Sequence, residues 1–289
     1  MFRRTMNPLE EGSSSQPSSN TLITGLPTPQ SAEVVAPRSS LKDRFRAAGI
    51  HLLVCILVAA LVLALVFGAW YPSPMAWLLG TGTILALILG IDVIVGPIFT
   101  ALVFDRRKPR LKWDLTVIAV VQLTALGYGL HTLYQGRPAF VVLVKDRYEL
   151  VSPADLTPEA REDGRENPLA RIDLLRPRWV AALQPKSGDE QLSIMMEAGA
   201  GGRDIQHHPK LYVELASERE TALQRALPIS RLRSLNPTRG NEIDALLARL
   251  GRSEDSLRFL PIRGRDNDGA VLIDARDASV VEIARFVPW

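Results

Sequence analysis

Residues 50–70 read IHLLVCILVAALVLALVFGAW, an apolar run that contains no formally charged residue. A helix that rises ~1.5 Å per residue crosses the ~30 Å hydrocarbon core of a bilayer with about 20 residues. The run is longer than the ~7–15 apolar residues of a secretory signal, and a long polar segment precedes it. We therefore interpret it as a membrane anchor that is retained in the protein.

Two more apolar runs follow, at about residues 76–104 and 114–134. The turn Tyr71-Pro72-Ser73-Pro74 separates the first run from the second, because proline lacks an amide donor and stops a helix. The sequence thus predicts a three-helix transmembrane module over residues 41–136, with spans at about 50–70, 76–104 and 114–134.

Basic residues decide the predicted orientation of these helices. The turn at residues 71–74 carries no charge, whereas Lys and Arg cluster before the first run and between the second and third, at Arg38, Lys42, Arg44 and Arg46, and at Arg106, Arg107, Lys108, Arg110 and Lys112. Cytoplasmic loops are enriched in Lys and Arg. We therefore expect the N-terminus in the cytoplasm and residues 137–289 in the periplasm, with Trp70, Tyr71 and Trp77 at the outer interface.

The basic isoelectric point near 9.2 does not indicate a nucleic-acid partner. Residues 137–289 hold 23 Lys+Arg and 24 Asp+Glu, so the net charge of +3 arises from the segments that flank the membrane runs. The single cysteine, Cys55, lies inside the first apolar run. One cysteine excludes a disulfide framework, a CxxC redox pair and a cysteine-rich metal site.

The two ends of the chain differ in character. Residues 1–40 are rich in Ser, Pro, Asn and Thr, and we expect a disordered cytoplasmic tail there, with an initiation site later than Met1 as an open alternative. Residues 137–289 predict a small α+β extracytoplasmic domain with an antiparallel sheet. Its predicted elements are strands at 140–144, 147–151, 211–215, 257–263, 270–274 and 279–284, a helix capped by Ser152, and a helix at 241–250 ended by Gly251.

One charged residue, Asp92, lies deep in the second apolar run, and Gln122 occupies a comparable depth in the third. An intramembrane carboxylate is costly and faces a partner or the interior of a bundle. Asp92 could therefore be a protonated clasp between helices, a contact for a client helix or part of a proton relay. The neighbouring Gly96-Pro97 predicts a kink and a close approach, and we take Asp92, Gly96, Pro97 and Gln122 as the candidate intramembrane partner contact.

No stretch predicts a catalytic or cofactor site. His207-His208 has no nearby third ligand and is interpreted as a solvated loop, and Asp266-Asn267-Asp268-Gly269 lacks the closing Glu of a calcium loop and is interpreted as a tight turn. GxSxG, HExxH and phosphate-loop motifs are absent from the sequence. We therefore predict a protein that is not an enzyme and has no cofactor or metal.

Several stretches together resemble one known family. They are LKDRFRAAGIHLL at 41–53, Trp70-Tyr71-Pro72, IDVIVGP at 91–97, KWDL at 112–115, Tyr128-Gly129-Leu130, QGRP at 135–138, DRYELV at 146–151, LPIRG at 260–264 and Pro288-Trp289. In these the chain resembles the type IV pilin accessory proteins of the TfpX/TfpZ type over about residues 41–289, while its long N-terminal extension departs from them.

The resemblance implies a multi-pass bacterial inner-membrane helper that stabilises or presents pilin subunits for pilus assembly. Its partners would be a type IV pilin, major or minor, and the lipid bilayer. The alternative from another class is a membrane-anchored extracytoplasmic sensor or regulator, and a third is a small transporter subunit that uses Asp92 for protons. A sensor needs a cytoplasmic output element, and a transporter needs more polar pathway residues than three helices offer here.

Overall fold

The computed structural model describes residues 40–289, and the predicted disordered tail lies outside these residues except for Ser40. Three helices are long and apolar enough to cross a membrane, as predicted: Leu41–Trp70, Thr81–Val103 and Leu111–Gly136. The first consists of α1 (Leu41–Leu65) and a π-helical turn at Val66–Trp70; the others are α3 (Thr81–Val103) and α4 (Leu111–Gly136). Between the first two lies a short helix, α2 (Met75–Leu78).

The observed helix ends differ from the predicted ones at two places. α1 begins at Leu41, about two turns before the apolar run, because the polar residues that precede Ile50 continue the same helix. The apolar run that starts at Met75 is not one helix, because the chain breaks at Gly80, whose φ is +64°. Glycine tolerates this left-handed conformation, and α3 therefore starts afresh at Thr81.

The three long helices pack on each other through small residues and polar contacts. The side chain of Ile88 on α3 lies against Gly129 on α4, and the His51 ring on α1 lies 2.5 Å from the Thr100 hydroxyl on α3. Large apolar side chains point away from the bundle, such as Leu61, Leu87 and Leu102, which are 71%, 66% and 64% exposed. An apolar outer surface of this kind is what a lipid environment accommodates.

The remainder of the chain forms a mixed α/β domain around one sheet of eight strands. The strands are β1 (Phe140–Val144), β2 (Arg147–Val151), β3 (Arg178–Ala182), β4 (Tyr212–Glu214), β5 (Leu227–Pro228), β6 (Leu257–Arg263), β7 (Asp268–Asp274) and β8 (Val280–Ala284). The helices are α5 (Pro158–Asp163), α6 (Gly188–Gly199), α7 (Arg219–Arg225), α8 (Ile229–Leu235) and α9 (Gly240–Leu250).

The strand order is β4-β3-β1-β2-β6-β7-β8, with β5 beside β6. The sheet was predicted to be antiparallel and is mixed: β1 pairs with β3 and β2 pairs with β6 in parallel, while the other five pairings are antiparallel. The long segments that connect these pairs carry helices, as parallel neighbours require. The hairpin strands β1–β2 and β6–β7–β8 and helix α9 lie where they were predicted, within one or two residues.

Both faces of the sheet are covered. On the inner face, residues from β1, β2, β3, β6, β7 and β8 join a single apolar cluster, so the sheet curls around it. The outer face has two clusters, one beneath the segment at residues 153–172 with the 205–212 segment, and one beneath α8 and α9. Strand β1 is buried along its whole length for this reason.

The inner-face cluster is completed by the membrane module. Met75 and Leu78, from α2, belong to the cluster together with Tyr148 and Leu260, and Leu78 is fully buried. The carbonyl oxygen of Leu78 accepts hydrogen bonds from the amides of Asp266 (3.0 Å) and Asn267 (3.2 Å). The side chain of Asn267 also donates to the Trp77 carbonyl at 2.8 Å. The segment 266–269, predicted as a tight turn, thus holds the turn between the first two membrane helices.

The interpretation of His207-His208 as a solvated loop was wrong. Both residues lie at the end of a short 3₁₀ helix, and His208 is buried with its Nε2 atom lacking a hydrogen-bond partner among the described residues. The Nδ1 atom of His207 accepts a hydrogen bond from the Asp204 amide at 3.3 Å, which requires an unprotonated nitrogen. Burial lowers the pKa of both imidazoles.

We expect Leu78→Ala to destabilise the sheet domain by about 2–5 kcal/mol, because it opens a cavity in a core that cannot close around it. Leu87→Ala, on the exposed face of α3, is the matched control and should have little effect. Thermal unfolding of the full-length protein in detergent measures the difference. Equal melting temperatures for the two variants would contradict the position of Leu78 in the core.

The buried histidines predict a loss of stability at acidic pH. Since their folded pKa lies below the unfolded value, the unfolded chain binds protons first, and the stability present above about pH 6.5 declines as the pH falls below it. Replacement of both by Gln should reduce the drop in melting temperature between about pH 7.5 and about pH 5.5. The control is His131→Gln, on the exposed face of α4, which should leave that drop unchanged.

Candidate functional site

The four residues of the predicted partner contact lie on α3 and α4, and two of them border a cavity of about 210 Å³ between α1, α3 and α4. Its polar lining consists of His51, Cys55, Asp92 and Gln122, and its apolar lining is Val54, Val58, Ala59, Leu89, Ala119, Leu123 and Leu126. We call this cavity the bundle pocket. Its apolar walls surround these few polar side chains. The hydrocarbon core of a bilayer holds no water that could form hydrogen bonds with them.

Asp92 and Gln122 share one level of the bundle, but the hydrogen bond between them uses the main chain. The Gln122 side-chain amide donates to the main-chain carbonyl of Asp92 at 3.1 Å. Asp92 Oδ1 and Gln122 Oε1 are both buried and have no hydrogen-bond partner among the described residues. The clasp between α3 and α4 therefore depends on the Gln122 amide, and Asp92 Oδ1 keeps the capacity to accept another hydrogen bond.

Gly96 and Pro97 shape the wall beside this pair. Both are buried on α3, and a Cβ atom at Gly96 would collide with the Gln122 amide group. Pro97 has no amide hydrogen, so the helix loses its bond to the Val93 carbonyl at this turn. The Gly96-Pro97 pair therefore lets Gln122 reach the backbone of α3, which is the close approach that the sequence predicts.

The second region of interest is the junction where the membrane module meets the sheet domain, and sequence analysis missed it. Arg137, at the end of α4, is 1% exposed. Its guanidinium donates to the carbonyls of Tyr134 (2.7 Å) and Asp173 (2.9 Å) and lies 3.8 Å from the centre of the Tyr134 ring. Tyr71 donates its hydroxyl to the Leu133 carbonyl at 2.8 Å, and burial raises the pKa of this phenol to about 12.

Residues of the sheet domain form the other side of the junction. Gly264 has no room for a Cβ atom, because the main-chain carbonyls of Leu78 and Asn267 occupy that space. The buried Glu149 pairs with Arg147 at 2.5 Å and with Arg263 at 3.7 Å. At the C-terminus, the Trp289 indole donates to Asp268 at 2.8 Å, and Arg263 lies over its ring.

Most of the stretches that carry the family resemblance thus meet at this junction. Those at residues 70–72, 135–138, 146–151, 260–264 and 288–289 all contribute a contact there, although up to 190 positions separate the partners. The available sequence signals were the apolar Trp77-Leu78 after the first span and the glycines at Gly80 and Gly264, where chain segments approach closely. No spacing rule links such distant positions.

Among residues 40–289, no group of three or more His, Cys, Asp and Glu side chains could hold a metal ion. The polar groups of the bundle pocket are one carboxyl, one amide, one imidazole and one thiol. What the pocket can do is accept a hydrogen bond from a group that enters it from the membrane.

Gly96→Ala should destabilise the helix bundle by about 1–3 kcal/mol, because the added methyl displaces the Gln122 amide from the Asp92 carbonyl. The matched control is Gly90→Ala on the same helix, where the added atom meets open space. Thermal unfolding in detergent, followed by helical circular dichroism, compares the two. A Gly96→Ala protein as stable as the Gly90→Ala protein would contradict the packing described.

Comparison with known proteins identifies relatives over nearly the whole described chain. A family profile described as Fimbrial assembly protein FimB matches residues 39–80, which include α1, α2 and Gly80. The fimbrial assembly protein of serogroup I from Dichelobacter nodosus is 32% identical over 261 residues, 85% of this chain and 98% of the relative. Its serogroup E1 counterpart is 31% identical with the same coverage.

The fimbrial assembly protein of serogroups C1 and C2 from the same organism is 38% identical over 122 residues, 40% of this chain and 92% of the relative. No solved structure matches the chain at a significant level. The two long alignments include the three membrane-capable helices and the sheet domain alike. The chain therefore belongs to the fimbrial assembly protein family, whose role is in pilus biogenesis.

Proposed function

We propose that the protein is a non-enzymatic inner-membrane helper that holds a type IV pilin subunit and presents it for assembly. Membership of a fimbrial assembly family supports a role with pilus components, and the three apolar helices support membrane association. Pilins wait in the inner membrane with one apolar helix in the bilayer and a globular head outside. A partner for such a client needs one surface within the bilayer and another beyond it.

The observation that carries the proposal is the pair of unpaired acceptors in the bundle pocket. A buried oxygen without a partner costs about 1–3 kcal/mol, and it persists in membrane helices where a partner group completes it. Asp92 Oδ1 and Gln122 Oε1 are two such atoms on adjoining helices. A client helix that brings one hydrogen-bond donor to the pocket would pair with one of these oxygens. The hydrogen bond from Gln122 to the Asp92 carbonyl would remain.

The junction supports the second half of the proposal. Because Leu78 and Arg137 are buried where the helices meet the sheet domain, the two parts hold a fixed mutual position. Two contacts on one rigid body raise the effective concentration of each for the other, so that neither has to be tight alone. A helper of this kind can retain a subunit firmly and still release it to a growing fibre.

The proposed orientation places the N-terminus in the cytoplasm and the sheet domain in the periplasm. The basic loop between α3 and α4 supports it through the positive-inside rule. Within that loop Arg106 pairs with Asp43 near the start of α1 at 3.4 Å, so the basic cluster gathers at one end of the bundle. The opposite end carries the uncharged turn and the sheet domain.

Asp92→Leu should reduce pilin co-purified from membranes by about three- to twentyfold, since an interhelical hydrogen bond contributes about 0.6–1.7 kcal/mol. Asp92→Asn keeps an acceptor and should retain most of the binding, which also separates a contact from a proton relay. The matched control is Ile91→Leu, on an exposed neighbouring position.

Stability separates this proposal from a purely structural role for Asp92. The Gln122 clasp uses the main chain of residue 92, so Asp92→Leu should unfold at nearly the temperature of the parent protein. If Asp92→Leu binds pilin normally while it accumulates normally, the carboxyl is not a client contact. If pilin levels in a deletion strain are unchanged, the helper function itself is wrong.

A further inference from the structure

A large cleft opens beside the junction, along the unpaired edge of the sheet domain's last strand. Its volume is about 940 Å³, and it runs between α9 on one wall and the turn after α1 on the other. Strand β8 contributes all five of its residues to the lining, from Val280 to Ala284. Gly68 and Ala69 close one end, and they belong to the last turn of the first membrane-capable helix. The cleft therefore reaches the level at which that helix leaves its apolar span.

Strand β8 is an edge of the sheet. It pairs with β7 on one side, and in the part of the chain that the structure describes no strand pairs with its other side. An unpaired edge presents a row of amide donors and carbonyl acceptors in the spacing of a β-ladder. The opposite edge, β4, is only three residues long, and short edges resist pairing. Strand β8 has five residues, and Val280, Val281 and Glu282 are only half-buried.

The charges around this edge do not balance. Within the cleft, Glu282 pairs with Arg249 at 2.6 Å, and Glu242 pairs with Arg239 just outside it. Two further cleft residues, Arg176 and Arg285, form no ion pair with any described residue. Arg285 instead lies 3.4 Å from the Ser73 hydroxyl and over the Trp77 ring, where it is held in place at the cleft wall. The cleft thus offers two guanidinium groups to a carboxylate, and that of Arg285 is held at the wall.

We propose that this cleft receives an extended, acidic segment of the client subunit, which adds to β8 as a further strand and places a carboxylate against Arg176 and Arg285. The proposal rests on the client-binding function above and names the second of the two contacts. Main-chain pairing supplies affinity that is independent of side chains, and the arginines fix the register. Because the cleft begins at Gly68 and Ala69, the segment would be the one that follows the client's own membrane helix.

A lipid headgroup is the other anionic candidate at this level. It could reach the two arginines, but it has no donors for the carbonyl oxygens of the β8 edge and no repeat that matches a strand. The unpaired edge of β8 therefore favours a polypeptide.

Site-specific photo-crosslinking in cells tests the proposal. A photoreactive amino acid replaces Ala245, an exposed residue of α9 that lines the cleft, or Ala248, an exposed residue of the same helix that does not. The probe is the major pilin of the same cell, detected by antibody and mapped by mass spectrometry. We expect a pilin adduct from position 245, mapped just outside the pilin's membrane helix, and at most a trace from position 248.

The double variant Arg176→Glu/Arg285→Glu should reduce the adduct at position 245 by about tenfold or more, since each lost charge-assisted hydrogen bond removes at least that order of affinity. Arg231→Glu, on an exposed part of α8, is the charge-matched control and should leave it unchanged. Melting temperatures of the variants verify that each is folded.

Three results would overturn the proposal: equal pilin adducts at 245 and 248, a lipid adduct at 245, or an adduct that the double variant does not weaken. If pilin still co-purifies through the bundle pocket while position 245 captures none of it, only the cleft assignment fails. If pilin neither co-purifies with the parent protein nor crosslinks to it, the client-binding function fails as well.

Discussion

The burial of Leu78 is the contact on which the rest of the structure depends. A residue from the turn between two membrane helices completes the inner core of a sheet whose own strands begin about sixty positions later. Its carbonyl oxygen receives two amides from the β6–β7 loop, so both its apolar and its polar atoms are satisfied there. The sheet domain consequently has no complete core of its own. Helices and sheet fold as parts of one unit. Cleavage of the chain at Arg137 would separate Leu78 from the core that it completes.

This contact places both candidate sites on one rigid unit. The bundle pocket is fixed by the Gln122 clasp and the close approach at Gly96, and the cleft beside β8 is fixed by the turn that carries Leu78. Arg137, buried between a membrane helix and the loop at Asp173, prevents the two regions from moving apart. A client with one apolar helix and an adjoining extended segment could meet both surfaces without any change in the protein. Two weak contacts at a fixed distance can together retain a client, and each can still open easily when the client is released.

Much of the architecture could be predicted from the sequence because its signals are local. Apolar length predicts the three helices, short apolar and β-branched runs predict β1, β2, β6, β7 and β8, and Gly251 predicts the end of α9. The parallel pairings of β1 with β3 and β2 with β6 could not be predicted, since nothing local states which distant strand is a neighbour. His208 was wrongly predicted to be exposed, because a pair of polar residues indicates a solvated loop unless the residues that pack around it are known. Asp92 and Gln122 could be placed at one level by counting along two helices, whereas the cleft depends on contacts across about two hundred residues.

Hydrogen exchange of full-length protein in detergent, resolved to single amides, tests whether the membrane helices and the sheet domain share one core. The amides of Leu78, Leu79, Asp266 and Asn267 are hydrogen-bonded at the junction, so we predict protection that matches the central strands β6 and β7. We also predict that Leu78→Ala lowers the protection of β6 and β7 together with that of the turn, while Leu87→Ala lowers neither. Rapid exchange at residues 78–79 and 266–267 beside a fully protected sheet would contradict the account. It would mean that the membrane helices and the sheet domain are joined only by a flexible connection.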